Sequence, residues 1–313
     1  MKGLLRTALA FAGLGLVLYG AAYYACERLV YRTGDTNPFF KIETAERDGF
    51  DWVILGASHA MPLDFADFNA HMEQQTGLRI LNLAAPGTGP LYNRFVFEHF
   101  LTRHRTAKLI YVVDSFAFTS PAWNEERFAD AKLLARTPFS LGLAWRMAGY
   151  SFEEGVDPRA VLDYVTGFSK INNRDRFKRD VWEGEAQFER TYRPSAAATA
   201  KRTAYLFPGG APERAAVMRY LGEFATLLGL ARERGIEVVV IKMPVPSRFY
   251  DKLPDETAFD QLLLELPAMR QALFRDFSLT MDEPRFYFDT DHLNRAGLTA
   301  FFSRYLKTLL VED

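Results

Sequence analysis

Residues 51–60 read DWVILGASHA, and the fold follows from how this stretch is parsed. Trp52, Val53, Ile54 and Leu55 form a short apolar run of the kind that a buried parallel strand presents on both faces. Gly56-Ala57-Ser58 then makes a small-residue corner that leaves a hydroxyl at the strand's carboxyl end. In open α/β sheets that end is where ligands bind. Pro62 suits the first turn of a following helix, Leu63, Phe68 and Met72 supply an inward face, and Gly77 supplies a stop. The corner shares the mechanics of a nucleophile elbow without matching the G-x-S-x-G pattern.

Working outward, strands are expected at 79–83, 108–113 and 236–243, with a short last strand at 286–288. Helical spacing appears at 92–103, 213–234 and 298–310, and at 257–277 with an interruption at Pro267. Strands alternating with helices predict a parallel α/β sheet with crossovers, a flavodoxin-like three-layer arrangement. The rhythm breaks at about 116–212, which reads as a helical insertion bordering the site. Its basic run, Arg174, Arg176, Lys178 and Arg179, reads as a solvated face or a binding patch. No internal repeat interrupts this order.

The chain has 313 residues, 49% apolar and 25% charged, within the range of folded globular proteins. A net charge of −1 gives no basic field for nucleic acid, so no nucleic-acid partner is expected. The single cysteine, Cys26, excludes an internal disulfide and any cysteine-rich metal site. His71, His99 and His104 lack metal-ligand spacing, and Gly87 and Gly89 do not complete a dinucleotide fingerprint. Neither a metal nor a cofactor is expected.

The N-terminus differs in kind. Lys2 and Arg6 precede an uncharged run from Thr7 to Cys26, close to the ~20 residues that cross a bilayer as a helix. Tyr19, Tyr23 and Tyr24 lie towards its far end, where aromatic rings favour the interface. The basic flank favours a cytoplasmic N-terminus, a single pass through the inner membrane and an exported remainder. A cleaved signal peptide is the rival reading, with Gly20 and Ala22 as small residues before a cut. The resulting organisation is an anchor over 1–30, a tether over 31–50 and an α/β domain over 51–313.

A second chemistry-bearing stretch is residues 288–297, FDTDHLNRAG. His292 follows Asp289 by three residues, close enough for the carboxylate to take an imidazole N–H and fix the tautomer of a general base. Asp291 is an alternative orienter. Asn294 is a helix cap or a further substrate contact. His59, beside the serine, is a wall of the site or touches substrate.

A serine after the first strand, joined to a C-terminal D-x-x-H-L-N-x-x-G, resembles the SGNH (GDSL-like) hydrolase superfamily. It is most similar to the membrane-anchored acyl-transfer branch that includes the alginate O-acetylation proteins and the D-alanyl transfer protein of teichoic acids. The resemblance implies Ser58 as nucleophile, His292 as base and Asp289 as orienter. It also implies an oxyanion hole from the amides of Ser58 and Gly87 or a neighbour. The family's third block supplies an asparagine to that hole. Here the third strand ends in Asp114-Ser115, so Ser115 or backbone would donate instead, and Asp114 is expected to cap the next helix. By resemblance, the protein would be an O-acyltransferase or esterase acting on an envelope or exported polysaccharide beside a multi-spanning membrane O-acyltransferase. The missing asparagine motivates an alternative, a non-catalytic scaffold or glycan-binding subunit.

Overall fold

The computed structural model describes residues 2–312. In chain order it contains α1 (Lys2–Thr33), α2 (Pro38–Thr44), β1 (Gly49–Leu55), α3 (Phe68–Thr76), β2 (Ile80–Asn82), α4 (Pro90–Arg103) and β3 (Arg105–Val112). There follow α5 (Ala131–Arg136), α6 (Leu141–Glu153), α7 (Pro158–Thr166), α8 (Phe168–Asn172), α9 (Ala196–Leu206) and α10 (Arg214–Glu233). The chain closes with β4 (Glu237–Lys242), α11 (Ser247–Tyr250), α12 (Glu256–Glu265), β5 (Ala272–Asp276), α13 (Arg295–Phe301) and α14 (Lys307–Val311). It divides into two compact units, 1–43 with 128–180, and 44–127 with 181–313.

In the second unit the five strands form one parallel sheet in the order β2-β1-β3-β4-β5. This is the doubly wound order whose switch point lies between β1 and β3. Alternation along the strands sorts side chains onto two faces. Trp52, Ile54, Ile110, Val112, Val239 and Ile241 pack with Phe68 and Met72 of α3 and with Leu298 and Phe301 of α13. On the opposite face the Tyr111 ring meets Phe224 of α10 at 4.7 Å, and its hydroxyl meets Asn93 of α4. Helices therefore cover both sides of the sheet. The Trp52 indole donates to the Leu310 carbonyl at 3.1 Å, tying the first strand to the closing helix.

Several expectations shift. Pro62 does begin a helical turn, but it is a 3-10 turn (Met61–Asp64), and α3 starts only at Phe68. Ala66 sits between them at φ 52°, a left-handed conformation that breaks the helix. Gly77 ends α3 in the same region at φ 74°. The helix expected over 257–277 stops at Glu265, and the fifth strand takes its last residues. Residues 286–288, expected as a strand, instead belong to a turn whose one ladder contact is the antiparallel bridge Tyr287–Leu293. Their aromatic side chains are buried in the core, which is why they looked strand-like.

The first unit is helical. Here α1 runs unbroken to Thr33, and α2 lies between it and β1. Within this unit Arg136 donates to the Thr33 hydroxyl at 2.6 Å and to the Asp175 carbonyl at 2.7 Å, joining the end of α1 to the 128–180 segment. Asn37 is buried and accepts from the Phe39 and Phe40 amides while donating to Leu133 and Thr137. Over its apolar part α1 is exposed, and it is long and apolar enough to cross a membrane.

Candidate active site

Ser58 is delivered by the corner after β1. Gly56 has φ 149°, and a side chain there would come within 2.9 Å of the Val112 carbonyl, so only glycine lets β1 and β3 close at this point. The turn is fixed by Ala60 N–H donating to the Ala57 carbonyl and by Met61 N–H donating to the Ser58 carbonyl. Behind it, the Thr88 hydroxyl donates to the Gly56 carbonyl at 3.0 Å, which anchors the 84–90 loop against the corner.

His292 comes from a loop that the 288–297 sequence folds upon itself. The amides of Asp291 and His292 donate to the Asp289 carboxylate at 3.0 and 2.8 Å, so that carboxylate is positioned by its own loop. Both Asp289 oxygens also face His292 Nδ1, at 2.9 and 3.0 Å. At the other end of the ring, His292 Nε2 lies 2.9 Å from Ser58 Oγ. The result is a continuous hydroxyl–imidazole–carboxylate chain across 234 residues of sequence. Phe288 stacks on the imidazole at 5.5 Å, and Trp182 meets it edge-on at 5.4 Å. Ser58 and His292 are buried, whereas the Asp289 side chain is 36% exposed.

The remaining residues singled out in the sequence fall into different places. Gly87 is in the 84–90 loop at φ 64°, with the Trp123 ring 2.9 Å from where a side chain would stand. The backbone amides of Ser58 and Gly87 have no hydrogen-bond partner among the described residues. The Ser115 hydroxyl donates instead to Glu256, which also accepts from Lys242 at 2.7 Å. Lys242 in turn bonds Asp260 at 2.8 Å. Asn294 caps α13 by accepting from the Gly297 amide at 2.9 Å, and its NH₂ donates to the Arg190 and Arg285 carbonyls. Its polar atoms are spent on backbone, and a side chain at Gly297 would strike the Phe286 carbonyl at 2.1 Å. The N-x-x-G half of the motif is thus structural scaffolding for the D-x-x-H half.

Asp114 does not cap the next helical turn with its side chain, as expected from sequence. It lies 2.5 Å from His59 Nδ1, while His59 Nε2 faces Asp291 at 3.1 Å. Asp291 is fully buried and takes the Arg202 guanidinium at 2.8–3.1 Å, together with the Thr290 hydroxyl. At 3.8 Å it stands farther from His292 Nδ1 than Asp289 does. Burial disfavours a charged His59. The neighbouring Asp114 charge and the hydrogen bonds to Asp114 and Asp291 outweigh it, pushing the ring's pKa up to about 10. Burial likewise works against an ionised Asp291, yet Arg202, His292 and His59 together hold it well below the usual carboxylate range.

His59, Asp291 and His292 offer ligand atoms within 4.8 Å of one another, a spacing a metal ion could use. Those atoms already serve the carboxylate–imidazolium–guanidinium network and the serine hydroxyl. Sequence reasoning did not find Arg202, or the bonds from His59 to Asp114 and Asp291. The one available signal was a histidine next to the serine.

No family model matches the chain, and no curated protein is detectably similar in sequence. Among solved structures, one similar fold is the crystal structure of a Bacteroides fragilis protein provisionally named an acylhydrolase. It is 9% identical, the match covers 85% of this chain and 88% of that one, and the TM-score is 0.41.

Proposed function

We propose that this protein is a serine-dependent acyl-transfer enzyme of the SGNH type that forms an acyl-enzyme on Ser58. The reading is carried by one observation, the hydrogen-bonded chain from Ser58 Oγ through His292 to Asp289. Serine is a weak nucleophile until an adjacent base removes its proton. His292 Nε2 takes that proton as Oγ attacks the ester carbonyl, and Asp289 stabilises the imidazolium that forms. The amides of Ser58 and Gly87 meet the negative charge on the former carbonyl oxygen. Collapse of the tetrahedral species expels the alcohol, which leaves with the proton from His292. The same ring then deprotonates an incoming hydroxyl, which takes the acyl group from Ser58 and restores the serine. If that hydroxyl belongs to a sugar the reaction is transfer, and if to water, hydrolysis.

The finer reading is an O-acyltransferase that modifies an envelope or exported polysaccharide, working with a multi-spanning membrane O-acyltransferase as acyl supplier. Its support is the sequence resemblance and an N-terminal helix suited to anchoring the domain beside membrane-borne donors. In this reading α1 is an uncleaved inner-membrane anchor with the catalytic unit outside. A second reading is a non-catalytic scaffold or glycan-binding subunit. It is favoured by Asp114, which stands where an asparagine would serve the oxyanion and is committed to His59.

Incubation with a fluorophosphonate probe and with a chromogenic acetyl ester decides between them. The wild type is expected to label and turn over, and Ser58→Ala to lose both. Wild-type protein that neither labels nor turns over, yet binds polysaccharide, would establish the scaffold reading.

A further inference from the structure

The first unit exposes large apolar side chains that the serine chemistry leaves unused. On α6, Leu141, Trp145 and Phe152 recur at spacings of four and seven and share one stripe, opposite the buried Leu143, Met147 and Tyr150. Trp145 is 74% exposed and Phe152 91%. Leu162 and Val165 of α7 and Phe168 of α8 are exposed as well. Soluble surfaces scatter such residues singly, whereas these six lie on three helices that pack one on the next, α6 on α7 and α7 on α8.

What covers this surface is indicated by α1. Helix α8 packs against it. The Tyr19 hydroxyl donates to the Thr166 carbonyl at 3.0 Å, and the Tyr23 ring meets Phe139 edge-on at 6.2 Å. Gly167 approaches Tyr23 so closely that a side chain would stand 2.4 Å from the ring. The Glu27 carboxylate pairs with Lys170 and accepts from the Phe139 amide at 2.7 Å. These contacts fix the height of α6–α8 along α1. The uncharged run from Thr7 to Cys26 is about 30 Å long, and Tyr19 lies about 10 Å short of its far end. With this run across the ~30 Å hydrocarbon core, the Glu27–Lys170 pair stands at the headgroups and Thr166, at the height of Tyr19, lies about 10 Å below them among the acyl chains. The segment after α8, residues 172–179, carries four basic residues and one acidic, with Phe177 exposed among them. Such a segment complements anionic headgroups.

We propose that Leu141, Trp145, Phe152, Leu162, Val165 and Phe168 are seated in the interfacial layer of the bilayer that α1 crosses. The first unit then grips one leaflet with three short amphipathic helices as well as spanning it with one long helix. Apolar burial and attraction of the 172–179 segment to anionic lipid act together, as they do for helices lying in the interface plane. The inference rests on α1 as a membrane span and is independent of whether Ser58 is acylated.

The test uses the full chain in vesicles of phosphatidylcholine and phosphatidylglycerol. In a Cys26→Ser background, nitroxides are attached at Phe152→Cys, Phe168→Cys and, as an aqueous reference in the second unit, Gln261→Cys. Labels at 152 and 168 are expected to favour collision with oxygen over a water-soluble nickel chelate several-fold more than the label at 261. As a check that needs no label, lipids brominated on the acyl chains should quench wild-type tryptophan emission, and Trp145→Phe should remove most of that quenching. Labels at 152 and 168 as wet as the one at 261, or quenching unchanged by Trp145→Phe, would overturn the proposal. The first of those results would leave the surface to a protein partner.

Discussion

Two imidazoles stand 4.7 Å apart in this protein and are put to opposite uses. His292 has one nitrogen on a carboxylate and the other on a hydroxyl, so it can accept a proton from that hydroxyl and return it. His59 has a carboxylate on each nitrogen, which makes both of them donors and holds the ring as a cation. The difference lies entirely in the partners. An imidazole becomes a base where one nitrogen faces a weak acid, and a structural counter-ion where neither does. The charged His59 also cancels charge that Asp114 would otherwise bring to the wall of the site.

The largest test of this contrast is in turnover. His292→Ala is expected to lower ester turnover by 10³-fold or more, as removal of a triad base does. His59→Gln is expected to cost no more than about tenfold in the chemical step, measured on the folded fraction by active-site titration. Comparable losses in the two variants would erase the distinction.

Stability should show the reverse order. His59→Gln leaves the half-buried Asp114 without its cation and the buried Asp291 with Arg202 alone, a loss of about 3 kcal/mol by analogy with broken buried pairs. His292→Ala should cost clearly less, because its carboxylate is partly open to water. Urea unfolding followed by tryptophan emission measures both.

The pH dependence sharpens the point. His59 has a folded pKa raised above its ordinary 6.5, so its contribution to stability is complete below that value and is lost as pH rises through about 10. Asp291 is depressed, so its contribution is present above the ordinary 3.8 and disappears in acid. The melting temperature of the wild type should therefore fall as pH rises towards 10, and His59→Gln should flatten that limb. The smallest effect expected is that of Asn294→Ala. Loss of the α13 cap should cost about 1 kcal/mol, with a modest fall in turnover as the 288–293 loop loosens.

How much of this was visible beforehand depends on range. The corner at Gly56–Ser58 and the spacing of Asp289 to His292 are local, and their chemistry is written within ten residues. So is the parallel sheet, since β1, β3 and β4 are apolar runs bounded by turns. Strand β5 escaped because Ala272–Asp276 is an edge strand with mostly half-exposed or exposed residues, continuous with a helical pattern. The ionic network escaped for another reason. His59, Asp114, Arg202 and Asp291 are brought together only by the folded sheet and its insertion, and no periodicity along the chain marks a partnership of that kind. The bond from Ser115 to Glu256 was hidden on the same grounds, because Glu256 is remote in sequence and its hold on the hydroxyl has no local sign.

The bond from the Trp52 indole to the Leu310 carbonyl has a bearing on biogenesis. During synthesis Ser58 emerges more than two hundred residues before His292, and the strand that precedes it is clasped by a turn made later still. In the proposed mechanism a nascent chain paused before His292 holds an unarmed serine. Under the proposed mechanism acylating power therefore arrives in a single step, once His292 has emerged and reached Ser58.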